Sequence, residues 1–171
     1  MTTQDFSQRA ADQWGELLPE VALSPDEMAV AVRFSRLYQL QRVLDNKSLR
    51  KFEYDGLASV DDFRLLALMR RSDADGLTNG ELVAQLGGSK AGMSNRLQRL
   101  VQHGHVERLP SPVDRRVHAN KLTTQGQELA DSAVTAVTTG RKRIFENLTD
   151  TAITELATTL ATMIHTLDPN D

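Results

Sequence analysis

The sequence of 171 residues contains no cysteine. This absence excludes disulfide bridges, zinc–thiolate sites and the sensing of oxidants by a thiol. The chain also has no apolar run long enough to cross a membrane, and its N-terminal segment lacks the apolar core of a signal peptide. We therefore expect a cytoplasmic protein that has no membrane partner.

Sequence patterns that would indicate an enzyme are also missing. Gly87-Gly88-Ser89-Lys90 contains two glycines and a lysine but lacks the spacing of a phosphate-binding loop. His103, His105 and His118 could converge on a metal ion, yet no cysteine or nearby pair of carboxylates accompanies them. The sequence therefore predicts no enzyme, no cofactor and no metal site. A metal-sensing regulator that uses these three histidines is an alternative.

The segment from Leu77 to Leu122 begins with a pattern typical of two helices joined by a tight turn. Thr78 and Glu81 have the spacing of a capping box and precede an apolar run. Gly87-Gly88 would end the first helix, because glycine adopts the left-handed conformation that a sharp turn needs. Ser89 can cap the second helix by accepting a hydrogen bond from a free backbone N–H.

The second helix has two faces of different character. Met93, Leu97, Leu100 and Val101 recur at helical spacing and predict a buried face. The opposite face is small and polar, which suits the major groove of DNA, because amides can pair with adenine and arginines with guanine or phosphate. We predict DNA contacts for the cap, this face and its flanks: Ser89, Lys90, Ala91, Gly92, Ser94, Asn95, Arg96, Gln98 and Arg99. A solvated helix face is the alternative for any one of them.

A β-hairpin is predicted after the second helix. His105–Leu109 and Val117–Leu122 have the composition of strands, and a proline-rich loop joins them. The loop contains Asp114, Arg115 and Arg116. Two arginines at an exposed tip are costly to order without an anion, and a narrow minor groove attracts such a pair. We expect Asp114 to hold the backbone or an arginine. The fold class is mainly α, a winged helix-turn-helix with a small β-hairpin wing.

The charge distribution agrees with DNA binding although the whole chain carries a formal net charge of −3. Between Ser89 and Leu122 the sequence has seven basic and two acidic residues. Phosphate neutralisation is local and is screened over about 8–10 Å, so the contact face matters more than the sum.

Helices are predicted on the N-terminal side of this segment. Ser24-Pro25-Asp26-Glu27 is a helix start with a capping serine and a proline in the first turn. Another helix is predicted over Ser59–Arg71, with Phe63, Leu66 and Ala67 facing inward. The apolar positions of the first of these helices are Val30, Phe34, Leu37, Tyr38, Leu40 and Leu44.

Two long helices are predicted at the C-terminal side, the first capped by Thr123. Their apolar lines are Leu129, Ala133, Val137, Gly140 and Ile144, then Ile153, Leu156, Leu160, Ile164 and Leu167. These lines are longer than a small winged domain can cover, and they indicate a dimerisation layer; an intrachain two-helix cap is the alternative. We predict N-terminal helices over residues 1–58, a DNA-binding domain over 59–123 and dimerisation helices over 124–171.

Motifs in a fixed order along the chain carry a resemblance to a known family. The matching residues are Leu77-Thr78-x-x-Glu81-Leu82, Ser89, Met93-Ser94-Asn95-Arg96-Leu97-x-Arg99-Leu100, Gly104-x-Val106-x-Arg108, Pro112-x-Asp114-Arg115-Arg116 and Leu122-Thr123-x-x-Gly126. The chain resembles the MarR-family transcriptional regulators. The resemblance implies a recognition helix in the major groove, Arg116 in the minor groove, and a homodimer in which the N- and C-terminal helices of two chains interleave.

The resemblance also implies an effector. Family members often bind small aromatic or phenolic anions between the dimerisation layer and the winged domain. Trp14, Arg33, Tyr38, Phe63 and Arg64 are the candidate residues. A urate-sensing subgroup has an acidic residue where Arg64 stands, which disfavours urate.

The function predicted from the sequence is a ligand-responsive repressor that binds a near-palindromic operator in double-stranded DNA as a homodimer. A winged-helix module that binds protein is the alternative. The arginines at the predicted wing tip, together with Asn95 and Arg99, favour DNA.

Overall fold

The computed structural model describes residues 6–20, 23–72, 76–110 and 118–168. This part of the chain is mainly α-helical with a small sheet, as the sequence predicted. The helices are α1 (Phe6–Leu17), α2 (Pro25–Leu49), α3 (Val60–Arg71), α4 (Asn79–Leu86), α5 (Lys90–Gln102), α6 (Thr124–Arg141) and α7 (Asp150–Leu167), with 3-10 turns at Arg50–Asp55 and Lys142–Ile144. The strands are β1 (Leu77–Thr78), β2 (Val106–Pro110) and β3 (His118–Leu122).

Local capping fixes where the helices begin. At α2 the backbone N–H of Ser24 donates to Glu27 Oε2 at 2.7 Å, and the Glu27 N–H donates to Ser24 Oγ at 3.3 Å. Ser59 and Thr123 cap α3 and α6 in the same way, by accepting from a backbone N–H in the first turn. These hydrogen bonds satisfy donors that have no partner inside the helix. The predicted starts of α2, α3 and α6 are confirmed.

The sheet is antiparallel with the strand order β1-β3-β2. Leu77 pairs with Asn120 on one side of β3, and Arg108 pairs with the same residue on the other. The hairpin of β2 and β3 agrees with the sequence to within one residue at each described end. The sequence did not predict β1, because two residues are too short to show a strand period.

One apolar core connects the winged segment to its neighbours. Leu65, Leu66, Leu82, Leu97 and Leu100 are fully buried. The same cluster extends from Leu49 in α2 to Val137 in α6. It therefore crosses both of the boundaries that the sequence suggested, near residues 58 and 123, and α6 belongs to the core that supports α3.

Large apolar side chains remain exposed on the outer helices. α7 has no buried residue in this chain. The exposed set on α1, α2 and α7 is Phe6, Trp14, Leu17, Val30, Phe34, Leu37, Tyr38, Leu40, Val43, Leu156, Met163, Ile164 and Leu167. Among the described residues, no helix combines the length and the apolar character that a membrane span requires.

Candidate nucleic-acid interface

The turn between α4 and α5 has the geometry that the sequence predicted. Gly87 and Gly88 have φ angles of 75° and 89°, in the region that glycine adopts without strain. The N–H of Gly87 donates to the carbonyl of Val83 at 2.9 Å and closes α4. Ser89 Oγ then accepts from the N–H of Gly92 at 3.0 Å and opens α5. The helix-turn-helix is confirmed.

A capping box fixes the start of α4. The N–H and hydroxyl of Thr78 donate to Glu81 Oε2 at 2.7 and 2.8 Å, and Thr78 Oγ1 accepts from the Glu81 N–H at 3.2 Å. The hydrogen bond from the Thr78 backbone, followed by the one from its hydroxyl, holds the pKa of the Glu81 carboxyl below its usual range. Glu81 is therefore charged at neutral pH and helps to orient α4 beneath α5.

The inner face of α5 packs into the core. Met93, Leu97 and Leu100 have at most 1% of their surface exposed. Val101 was predicted on this face, but it is 36% exposed. At about 100° per residue it lies about 80° around the helix from Met93, at the margin of the buried face.

The outer face of α5 is open. Ser89, Lys90, Ala91, Asn95 and Gln98 are exposed, and Gly92 and Ser94 are half-buried. The surface carries one charge, two amides and small residues that let another molecule approach closely. It has the donors and acceptors that base edges and phosphates require.

Arg99 does not lie on this outer face. Its Nη2 donates to Asp62 Oδ1 at 2.6 Å, and its Nε donates to the Gly56 carbonyl at 3.3 Å. Arg96 also turns toward α3, with Nη2 at 3.3 Å from Asp61 Oδ2. The predicted outward placement of Arg99 is wrong because it lies on the flank of α5, where its long side chain reaches the acidic first turn of α3.

Asp62 is fully buried and satisfied. Its Oδ2 accepts from the Ala58 N–H at 3.1 Å and from the Ser59 hydroxyl at 2.9 Å, in addition to the bond from Arg99 at Oδ1. A buried carboxylate is stable only with such partners. Sequence reasoning missed this residue, although Asp61-Asp62 after a capping serine was a visible signal.

The wing is described only at its base. Pro110 of β2 pairs with His118 of β3. The loop between them, with Asp114, Arg115 and Arg116, lies outside the described residues. Its predicted contact with the minor groove stays a prediction.

The three histidines do not gather into a metal site. His103 and His105 stack with ring centroids 6.2 Å apart, and His105 is buried. His118 is exposed at the start of β3. The described residues contain no group of three or more His, Cys, Asp or Glu side chains that could hold a metal ion.

A cavity of about 830 Å³ lies between α2, α3, α4 and α6. Tyr38, Phe63 and Arg64, three of the predicted effector residues, line it. Trp14 and Arg33 do not line it, so the cavity gathers three of the five predicted residues, and the effector site stays a prediction. α1 packs along the first half of α2, where Arg33 Nη2 donates to Gln8 Oε1 at 2.8 Å, and the cavity lies beside the second half.

Ion pairs bound the cavity. Arg141 binds Asp45 through two hydrogen bonds of 3.0 and 2.6 Å. Arg70 binds Asp131 in the same two-fold manner, at 2.8 and 3.0 Å, and this hydrogen bonding raises the pKa of Arg70. A hydrogen bond to the Tyr38 hydroxyl at 3.2 Å raises the pKa of Arg42. Among the described residues, five arginines and two aspartates line the cavity, so positive charge exceeds negative charge beside the rings of Tyr38 and Phe63.

Residues 56–117, which include the helix-turn-helix and the first strand of the wing, match the sequence pattern of the MarR family. The chain is also 30% identical over 135 residues to the transcriptional activatory protein BadR of Rhodopseudomonas palustris, covering 79% of this chain and 76% of that protein. The chain belongs to the MarR family.

Solved MarR-family structures have the same fold. CouR from Rhodococcus jostii RHA1, bound to p-coumaroyl-CoA, is 25% identical with a TM-score of 0.65, over 78% of this chain and 90% of CouR. Sco3205 from Streptomyces coelicolor, in complex with DNA, has a TM-score of 0.72 at 21% identity, over 86% of this chain and 91% of Sco3205.

Membership of the MarR family gives the function of the chain. The chain is a DNA-binding transcriptional regulator with a winged helix-turn-helix. In this MarR-family chain α5 occupies the position of the recognition helix.

Proposed function

We propose that this chain is a ligand-responsive repressor that reads a near-palindromic operator through the outer face of α5. The observation that carries the proposal is the exposed amide and lysine surface of α5 above a fully buried inner face. Asn95 and Gln98 are proposed to read base edges in the major groove, and Lys90 to contact a phosphate.

The neighbouring residues of α5 are proposed to contact DNA in simpler ways. Ala91 and Gly92 allow the helix to approach the groove closely, and the hydroxyls of Ser89 and Ser94 can donate to phosphate oxygens. Arg96 is proposed to contact a phosphate from the flank, because its side chain is only partly covered by Asp61. Arg99 is proposed to position α5, since it is bound to the buried Asp62.

The wing is proposed to enter the adjacent minor groove with Arg115 and Arg116. The paired strands β2 and β3 extend from the C-terminal end of α5 and would direct the loop toward DNA. Asp114 would hold an arginine or the loop backbone in place. A narrow minor groove provides the negative potential that two arginines require.

The chain is proposed to bind DNA as a homodimer. α7 buries none of its residues within one chain, and α1 and α2 expose large apolar side chains. Such a surface fits an interface between two copies, since obligate dimer interfaces resemble a domain core cut in half. A two-fold axis would place two recognition helices about 34 Å apart, one turn of DNA.

The cavity beside Tyr38, Phe63 and Arg64 is proposed to hold a small aromatic or phenolic anion. Its volume and its arginines suit such a ligand. The crystal structure of CouR contains p-coumaroyl-CoA, an aromatic acyl-CoA bound to that protein, which supports a ligand of this class.

Asp61 is proposed to transmit occupancy of the cavity to α5. Its Oδ1 lies 3.9 Å from Arg42 Nη1 and 4.0 Å from Arg64 Nη1, and both arginines line the cavity. Its Oδ2 accepts from Arg96 on α5. An anion that binds Arg42 and Arg64 would remove two of the three cationic partners of Asp61. Asp61 would then attract Arg96 more strongly and draw the Arg96 side chain away from DNA.

Titration against DNA selected from a random pool tests the proposal. Asn95→Ala should change the preference at particular base pairs. Lys90→Ala should weaken binding to all sequences alike and reduce the slope of log affinity against log salt concentration by about one. Arg116→Ala should cost about 1–3 kcal/mol. Arg143→Ala, which changes an exposed arginine in the 3-10 turn after α6 and outside the helix-turn-helix, is the control. If all four variants bound DNA with the same affinity and sequence preference, the assigned base and phosphate contacts would be wrong.

The sign of regulation and the effector need a second assay. Transcription in vitro from a promoter that carries the selected site should fall when the protein is added and recover with p-coumaroyl-CoA or 4-hydroxybenzoate. BadR is named an activatory protein, so a rise on addition of the protein would identify an activator instead.

A further inference from the structure

Three hydrogen-bonded polar side chains, one buried and two half-buried, connect the wing strand to the recognition helix. Asn120 of β3 donates its Nδ2 to the Leu77 carbonyl at 2.9 Å and to Asn79 Oδ1 at 3.0 Å. Asn79, the first residue of α4, donates its own Nδ2 to Ser94 Oγ at 3.1 Å. β3, α4 and α5 are thus linked side chain to side chain.

The direction of these hydrogen bonds follows from their chemistry. The Leu77 carbonyl can only accept, so Asn120 must present its NH₂ group there. The same NH₂ meets Asn79, which therefore presents its oxygen to Asn120 and its NH₂ to Ser94. Ser94 accepts that bond and keeps its hydroxyl proton for another acceptor. Ser94 lies in the middle of α5, half-buried beside Asn95, so that acceptor can be an oxygen of DNA.

The burial of Asn120 carries a cost in folding free energy. The residue is 1% exposed, and its Oδ1 has no hydrogen-bond donor among the described residues. An unpaired buried carbonyl costs folding free energy, whereas the two hydrogen bonds that the Asn120 NH₂ donates to Leu77 and Asn79 contribute to it. Folding stability therefore accounts only in part for an asparagine here.

We infer that Asn120 is a positioning residue for DNA recognition. Through Asn79 it holds the wing strand at a fixed distance from the Ser94 turn of α5, and it makes Ser94 a hydrogen-bond donor toward DNA. A protein that reads two grooves at once needs its two reading elements fixed relative to each other. The inference rests on the proposed DNA contacts of α5 and the wing.

The test separates DNA affinity from stability. Asn120→Leu removes the donor to Leu77 and Asn79, so its thermal unfolding midpoint should fall, and the DNA affinity of the folded protein should fall about tenfold. Asn79→Ala keeps the bond between Asn120 and Leu77 but cuts the link to Ser94, and it should lose affinity by a similar factor. Leu129→Val, a core change in α6 that takes no part in these three hydrogen bonds, should lower the midpoint and leave the affinity of the folded protein unchanged.

A double-mutant cycle distinguishes a connected chain from separate contributions. The double variant Ser94→Ala with Asn120→Leu should lose little more DNA affinity than the single variant that binds DNA less tightly, because both changes interrupt the same chain of hydrogen bonds. Additive losses would overturn the inference, and so would wild-type affinity in Asn120→Leu or, if that variant does not fold, in Asn79→Ala. A wild-type protein that binds no DNA would instead reject the proposed function.

Discussion

Asp62 and Arg99 form the most buried charged contact beneath the recognition helix. The Asp62 carboxylate has no exposed surface. Among the described residues, three groups donate hydrogen bonds to it, and Arg99, at 2.6 Å, is the charged one. Loss of Arg99 would leave this buried carboxylate with Arg96 Nε, 3.8 Å from Oδ1, as its remaining cationic neighbour among the described residues. Arg99 therefore contributes to the fold of the interface before it contributes to any reading of DNA.

We predict that Arg99→Met lowers the free energy of unfolding by about 1–3 kcal/mol, because Asp62 loses a charged partner. Urea denaturation measures the change. Adding Asp62→Asn should recover part of the loss, since the stranded charge is then removed. Unchanged stability together with an altered base preference would contradict this and show that Arg99 contacts bases.

Glu81 gives α4 a dependence on acid pH. Its pKa in the folded state is lowered by the hydrogen bonds from Thr78, so the capping interaction is fully present above the pKa of the unfolded chain. It is lost as the pH falls through the lowered folded-state value. We predict that Glu81→Gln reduces stability at neutral pH and flattens the acid limb of the stability curve. An unchanged acid limb, measured by urea denaturation at several pH values, would contradict this.

Local spacing predicted the capping residues but not the ion pairs. Thr78 and Glu81 are three residues apart, so their contact follows from the helix alone. Asp62 and Arg99 are 37 residues apart, and Asp45 and Arg141 are 96 apart. An arginine on the flank of a helix can point either to DNA or to a neighbouring helix, and only the tertiary packing decides.

At the scale of elements, Asp61 connects α2 and α3 to α5. Its contacts with Arg42, Arg64 and Arg96 are partly exposed, and the side-chain exposure of the three arginines is 39%, 48% and 31%. Pairs of this kind contribute up to about 1 kcal/mol each. The connection is therefore weak enough for an anion in the cavity to shift.

We predict that Arg42→Gln imitates an occupied cavity and weakens DNA binding about two- to fivefold, within the energy of a partly exposed ion pair. Arg42 lies on α2, away from the recognition helix, so a direct contact with DNA would not explain the loss. In an Asp61→Asn background the same change should have no effect. Equal losses in both backgrounds, measured by titration at fixed salt, would reject the connection through Asp61.

At the scale of the whole molecule, α7 and parts of α1 and α2 leave large apolar side chains uncovered in the described chain. Leu156 and Ile164 on α7 and Phe34 on α2 are more than 40% exposed, and Leu160 on α7 is half-buried. The sequence predicted these apolar lines from their helical period. It left an intrachain two-helix cap open as the alternative, because a helical period does not show how the chain folds back on itself.

We predict that Leu160→Asp abolishes the dimer, because an unpaired carboxylate is too costly within apolar packing. DNA binding should be lost with it, although no residue of the DNA-reading face is changed. Light scattering at micromolar concentration measures the assembly. Thr158→Asp, which places the same charge on the opposite side of α7, should remain a dimer. Dimers in both variants would place the interface elsewhere.

Selection of binding sites from a random DNA pool with the wild-type protein tests the central claim most directly. A dimer that reads DNA with two α5 helices should enrich inverted half-sites whose centres lie about one helical turn, or 34 Å, apart. It should bind them with two chains per site. Failure to enrich any sequence, or enrichment of a single half-site bound by one chain, would contradict the account.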